Sequence, residues 1–223
     1  MREQVFIFDV CGTLVRDDTT VGLLSWHFRR RGFFIRERLV KALFGDGLLN
    51  FLVRGLEFAT RLFFARKLAI FLLRGESPEE VLVSAKEYAQ FLLAHRLEHQ
   101  VFEMFQQFRE QGVVVLASAS VDPVINALGS ILGVDALSSE LEIGSSGYTG
   151  YLTLDLIGKK PGALLSRYGE GFFDANTTVV SDNFSDAELL AMCDTPWVVL
   201  RKSEHRFRWS LEGARYLEAA GEE

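Results

Sequence analysis

Three apolar runs in this 223-residue chain stop at a polar group. Val5-Phe6-Ile7-Phe8 ends at Asp9, Val113-Val114-Val115-Leu116-Ala117 at Ser118, and Thr177-Thr178-Val179-Val180-Ser181 at Asp182, with Asp186 four residues further on. With the pair Lys159-Lys160, these residue types suit phosphoryl transfer. A carboxylate such as Asp9 can attack phosphorus as a nucleophile, while Ser118 and a lysine hold the phosphate oxygens. Asp182, with Asp186 as a further candidate, can join Asp9 in binding Mg²⁺, a hard cation that takes one or two carboxylates plus phosphate and water. Without a cation, several carboxylates around a dianionic phosphate repel it severely.

That chemistry needs the three strand ends to meet. Four consecutive apolar residues, two of them β-branched, make Val5–Phe8 a buried central strand, and Gly12 permits a tight turn after Asp9. Val113–Ala117, the run ending at Asp182 and Pro196–Leu200 are the other core strands, with shorter candidates around Leu137–Ile143 and Gly147–Leu154. Helices are expected from Asp122-Pro123, over Pro161–Tyr168 and over Asp186–Cys193. This alternation predicts an α/β fold whose largely parallel sheet gathers the strand ends along one edge, where such folds bind ligands. From Val21 to about Gly112 the pattern is helical instead, broken at Gly32, at Gly45-Asp46-Gly47 and at Gly75-Glu76-Ser77-Pro78. Ser77, Pro78 and Glu80 form a capping-box start for a helix with the stripe Val81, Ala85, Tyr88, Ala89, Leu92. The block reads as an inserted cap, giving a core over 1–16 and 105–223 and a helical cap over 17–104.

At 48% hydrophobic and 12% aromatic, the composition excludes disorder and provides for an ample core. Two distant cysteines, Cys11 and Cys193, make no disulfide framework or metal spacing and fit a reducing compartment. The chain enters its first strand directly, so no signal peptide is expected and the location read is cytoplasmic. The longest apolar run, near Leu68–Leu73, is too short to span a bilayer. A net charge of −6 argues against a nucleic-acid partner. Between Trp26 and Gly75, however, eleven Lys/Arg stand against three acids, a local +8 that leaves the remainder at −14.

In order and spacing, these residues resemble the four motifs of the haloacid dehalogenase (HAD) superfamily of aspartyl-nucleophile hydrolases, closest to its phosphoserine-phosphatase-like branch with a helical cap. The first motif, hhhDxDGT, is Phe6-Ile7-Phe8-Asp9-Val10-Cys11-Gly12-Thr13; the second is Val115-Leu116-Ala117-Ser118-Ala119-Ser120; the fourth, GDxxxD, is Ser181-Asp182-Asn183-Phe184-Ser185-Asp186. The third, a lysine opening a helix, fits Lys160 better than Lys159, because Leu164 then shares its helical face. The resemblance implies a Rossmann-like core with a helical cap, and a Mg²⁺-dependent phosphohydrolase that forms an aspartyl-phosphate on Asp9. It implies a catalytic set of Asp9, Cys11 and Lys160. Phosphate contacts are implied for Gly12, Thr13, Ser118, Ala119 and Lys160, and metal contacts for Asp9, the Cys11 carbonyl, Asp182 and Asp186. The implied substrate is a small or lipid-linked phosphate ester.

Cys11 departs from the pattern. The family's phosphatases place there a second Asp that protonates the leaving oxygen and later activates water. A thiol with an unperturbed pKa near ~8.5 replaces it poorly, and losing acid–base help slows reactions by roughly 10²–10⁴-fold. The alternative is therefore a catalytically weak relative that binds a phosphorylated ligand or partner. Asp182 argues against a haloacid substrate, because the dehalogenase branch carries Ser-Ser-Asn where this chain has Ser181-Asp182-Asn183.

Other candidates read more plainly. His95 and His99 have the spacing of two ligands on one helix face but lack a third, and His27 and His205 have no pattern around them. Asp17-Asp18 reads as a solvated connector, and Ser120 as a cap for the helix at Asp122. Basic residues strewn through the apolar segment Phe51–Gly75 read as outward arginines on packed helices, with peripheral contact to an anionic membrane, at its inner face, as the functional alternative.

Overall fold

The structure is a computed structural model that describes residues 4–45, 64–174, 176–201, 206, 209 and 211–219. The sequence readings at Asp46, Gly47 and His205, and those on residues 51–63 of the basic apolar segment, lie outside the described residues.

The strands are β1 (Gln4–Phe8), β2 (Val113–Val121), β3 (Asp135–Gly144), β4 (Gly147–Leu154), β5 (Asn176–Ser181), β6 (Thr195–Leu200) and β7 (Arg215–Glu218). They form one seven-stranded sheet in the order β4-β3-β2-β1-β5-β6-β7. Every neighbouring pair is parallel except the β3–β4 hairpin. β1 lies between β2 and β5, as its unbroken apolar run requires: both faces and both edges are covered. Phe6 and Phe8 point to one face, with Phe108 stacked on Phe6 at 4.3 Å and Phe105 edge-on to Phe8 at 5.4 Å. Val5 and Ile7 point to the other face and join Leu164, Leu189 and Leu190. The chain is thus an α/β protein with a Rossmann-type core.

Between β1 and β2 run α1 (Thr19–Arg30), α2 (Phe34–Phe44), α3 (Phe64–Phe71), α4 (Pro78–His95) and α5 (His99–Arg109). After β2 come α6 (Asp122–Leu132), α7 (Lys160–Tyr168) and α8 (Ala187–Met192). The inserted helices share one continuous apolar cluster with the sheet, in which Leu23, Leu24 and Phe28 of α1 and Val81, Ala85 and Leu92 of α4 meet Leu116 of β2 and Ile125 of α6. The passage from β1 into the inserted helices lies beside the turn that joins α4 to α5. Arg16 donates its N–H to Arg96 O at 2.8 Å, Glu98 to Leu14 O at 3.0 Å, and Arg16 pairs with Glu98 at 3.1 Å.

The helix starts follow their sequence signals unevenly. Ser77 caps α4 by accepting the Glu80 N–H, with Pro78 in the first turn, while the Glu80 carboxylate pairs with Arg30 and Arg31. His95 ends α4 and His99 begins α5, so these two histidines do not share a helix face. His27 proves to be fully buried, 2.9 Å from Ser84 Oγ and 3.3 Å from Glu76 Oε2, and burial pushes its imidazole pKa down. Among the described residues, no helix is long and apolar enough to cross a membrane.

Candidate active site

The site forms where β1, β2 and β5 end. Immediately after β1, Asp9 donates its backbone N–H to Val180 O at 2.9 Å, which fixes the side chain at the sheet edge. The chain then tightens: the N–H groups of Leu14 and Val15 both reach Val10 O at 3.0 Å. Gly12 sits in this turn at φ 77°, and a Cβ there would fall 2.3 Å from Asp182 Oδ2. Only glycine accepts both the backbone angle and the close approach.

β2 runs on past the expected end at Ser118. Its pairing with β3 is regular up to Ala117↔Leu137 and resumes only at Val121↔Ser139, so Ser118-Ala119-Ser120 leave the ladder between those points. A bulge of this kind re-aims side chains at a sheet edge. Ser118 is fully buried and, with Ala119 and Ser120, lines one pocket together with Asp9, Cys11, Asp18, Thr20, Arg66, Lys160 and Asn183.

One corner of this pocket is charged. Lys160 opens α7 and is 2% exposed, its Nζ 2.7 Å from Asp9 Oδ1 and 2.6 Å from Asp186 Oδ2. Ser181 Oγ donates to the same Asp186 oxygen at 2.7 Å, while Asp186 Oδ1 is buried with no partner among the described residues. Lys159, by contrast, is exposed and borders a different pocket on the far side of α7. Burial pushes the Asp9 carboxyl up to about 7; Lys160 opposes this, and the charges of Asp186 and Asp182 reinforce it. Burial disfavours the Lys160 charge too, but the two carboxylates outweigh it and hold the ammonium above its usual range. One ammonium faces two carboxylates, so the corner is short of positive charge. Asp182 stands just beside it: Thr13 Oγ1 donates to Asp182 Oδ1 at 2.9 Å and to Asp9 Oδ2 at 3.4 Å, and Arg201 Nε lies 3.5 Å from Asp182 Oδ2.

The opposite corner is neutral. The half-buried Cys11 Sγ lies 2.9 Å from Thr19 Oγ1 and 2.8 Å from Ser120 Oγ, and Thr19 Oγ1 donates to Ser120 Oγ at 2.6 Å. Burial pushes the thiol up to about 12, so it carries its proton throughout the neutral range. Ser120 is therefore a partner of Cys11, and α6 begins after Val121 without a side-chain cap. Asp18 caps α1 through Thr20 N and Val21 N, both at 3.0 Å. Burial pushes its carboxyl pKa up, and the two N–H groups it accepts from oppose the rise.

Sequence reasoning missed Arg66. It reaches the pocket from α3, 14% exposed, and bonds Asp155 Oδ1 at 2.9 Å, Ser139 Oγ at 3.2 Å and Ala119 O at 2.5 Å. No motif marks it, because its partners lie 53 to 89 residues away.

Residues 6–191 match the family model of the haloacid dehalogenase-like hydrolases, so the chain belongs to that family and is a hydrolase of HAD type. Its fold is similar to that of a Bordetella pertussis Tohama I protein of unknown function, with TM-score 0.78 and 18% identity over 98% of this chain and 99% of that one. It is also similar to a phosphoserine phosphatase solved as a phospho-aspartyl intermediate analogue, with TM-score 0.59 and 17% identity over 95% and 93% of the two chains. A phosphoserine phosphohydrolase-like protein from Francisella tularensis subsp. tularensis SCHU S4 gives 0.62 and 14% over 96% and 95%. The chain has no match among the curated proteins.

Phosphatases of this family generally use Mg²⁺. Among the described residues, no three His, Cys, Asp or Glu side chains form a ready cage. The donors nonetheless fit a magnesium ion, which takes one or two carboxylates and keeps water and phosphate as its other ligands. Asp9 and Asp182 share the Thr13 hydroxyl, and the corner is deficient in positive charge.

Proposed function

We propose that this chain is a Mg²⁺-dependent phosphohydrolase that works through an aspartyl-phosphate at Asp9. The observation that carries the reading is the convergence of Asp9, Ser118 and Lys160 on one pocket, with Lys160 Nζ 2.7 Å from the nucleophile. Lys160 fixes Oδ1, and Oδ2, whose contact to Thr13 is long at 3.4 Å, attacks phosphorus. Ser118, Lys160 and the backbone N–H groups near Gly12, Thr13 and Ala119 take the phosphate oxygens. Asp9, the Cys11 carbonyl and Asp182, with Asp186 behind them, would hold the metal, which would supply positive charge against the phosphate oxygens. The helical segment 17–104 serves as the cap over this site, and the substrate is a small or lipid-linked phosphorylated molecule. Asp9→Asn abolishes phosphate release from an aryl phosphate, and EDTA does the same. Turnover unmoved by either change overturns the reading.

Cys11 favours a second reading, a protein that binds a phosphorylated ligand with little turnover, because its neutral thiol is occupied by Thr19 and Ser120. Silence of the wild type on amino-acid, sugar and lipid phosphates alike, with retained binding of one of them, supports it. The cap also has a membrane-facing candidate: Phe34 and Ile35 are 60% and 77% exposed beside Arg31 and Arg36. Absence of cosedimentation with anionic liposomes at low salt removes that part.

A further inference from the structure

The Ser118 side of the pocket rests on residues outside the four motifs. Ser139 of β3 is fully buried, and its hydroxyl donates to Ala119 O at 2.8 Å. It also accepts from the Leu156 N–H at 3.0 Å and from Arg66 Nη2 at 3.2 Å. A hydroxyl has one proton and two lone pairs, so Ser139 is saturated and its orientation is fixed. Arg66 Nη2 donates to the same Ala119 oxygen, and Asp155 Oδ1 holds Arg66 Nη1 at 2.9 Å. Both lone pairs of the Ala119 carbonyl are therefore taken, one by a buried hydroxyl and one by a cation from the inserted helix α3.

The other end of that peptide faces Ser118. The unit is planar and trans, so fixing the Ala119 C=O fixes the Ser120 N–H in the opposite direction. This N–H donates to Ser118 Oγ at 3.3 Å, within the stretch that has left the β-ladder. Among the described residues Ser118 Oγ has no other partner, so its own proton is left for a ligand in the pocket it lines with Asp9 and Lys160. A cation on the carbonyl also polarises the peptide and strengthens its N–H as a donor.

Resting on the phosphohydrolase reading above, we propose that Arg66 and Ser139 are positioning residues: by clamping the Ala119 carbonyl they hold the Ser118 hydroxyl as a donor to the phosphate oxygens. Neither touches the phosphoryl group. Their effect passes through Ser118 and is lost when that hydroxyl is lost. A guanidinium that met the substrate itself, or a general loosening of the pocket, would act independently of Ser118.

The test is a double-mutant cycle on the full chain with Mg²⁺, read by affinity for inorganic phosphate and by kcat and KM on an aryl phosphate. Ser118→Ala and Arg66→Ala are each expected to weaken phosphate binding about 10-fold. In the Ser118→Ala background, Arg66→Ala or Ser139→Ala is expected to add no more than about twofold. Arg66→Lys, which keeps a charged donor for Ala119 O, is expected to recover part of the affinity. If Arg66→Ala fails to fold, Arg66→Lys and Ser139→Ala close the same cycle. Unchanged phosphate affinity in Arg66→Ala, or effects that multiply in the double variant, overturn this inference alone while turnover that needs Asp9 persists. A wild type that binds phosphate but turns over no aryl phosphate overturns the phosphohydrolase reading, and the phosphate cycle then decides the clamp. A wild type that does neither overturns both.

Discussion

Two corners of one pocket satisfy their buried polar atoms in opposite ways. Around Lys160, formal charges meet at 2.6 and 2.7 Å in a nearly dry environment; around Cys11, neutral hydroxyl and thiol groups meet at 2.6 to 2.9 Å. The charged corner depends on each member, because removing one partner strands a charge that has already lost its water. The neutral corner loses only the net value of a hydrogen bond or the desolvation of one small group. Charge is therefore concentrated at the Lys160 corner of the pocket and withheld from the Cys11 corner.

The largest effect that tests this contrast is expected from Lys160→Ala. Two buried carboxylates lose their counter-charge, and urea unfolding is expected to show a loss of ~3–5 kcal/mol. A loss under about 1 kcal/mol would break the comparison. In the neutral corner, Ser120→Ala leaves Cys11 and Thr19 each short of one partner, for an expected ~1–3 kcal/mol by the same measurement. A loss as large as that of Lys160→Ala would show the two corners to be energetically alike.

The alkaline limb sharpens the picture. The folded thiol, near 12, holds its proton above the pH at which the unfolded thiol loses its own. Its stabilisation is therefore complete below about pH 8.5 and lost as pH rises from there toward 12, about 1–2 kcal/mol by pH 10 after allowance for partial exposure. Cys11→Ser has no such titration, so the difference between its stability and the wild type's should change across pH 8.5–10; a constant difference contradicts a buried thiol. The smallest effect is expected for Arg201→Gln. Its pair with Asp182 is long at 3.5 Å and 45% exposed on the arginine side, so unfolding should shift by less than ~0.5 kcal/mol.

Much of the fold was legible because its signals are local. Apolar runs that stop at Asp9 and Asp182 name strands and their ends, and Pro78 and Pro123 mark helix starts. Ser118 was legible for the same reason, but the bulge that follows it was not: Ser118-Ala119-Ser120 are small residues with no turn signature, and only their mismatch with β3 lifts them from the ladder. β7 also escaped notice, since Arg215–Glu218 is short, half-polar and identified as a strand only by pairing with β6. Ser120 was read as a helix cap because local capping is the commoner use of serine before a helix; Cys11, 109 residues away, takes it instead.

The sequence by itself determined which chemistry the chain could carry, because side-chain type and strand-end position are properties of short segments. It named Asp9, Ser118, Lys160 and Asp182 and marked Cys11 as the odd member of the set. Tertiary structure decided how those groups are paired. Lys160 rather than Lys159 meets Asp9, Asp186 shares that lysine, and Cys11 is enclosed by Thr19 and Ser120, while Arg66 arrives from the inserted helices. Hydrogen bonds and ion pairs depend on distances of a few ångströms between residues far apart in the chain, and only the packed sheet and helices set those distances.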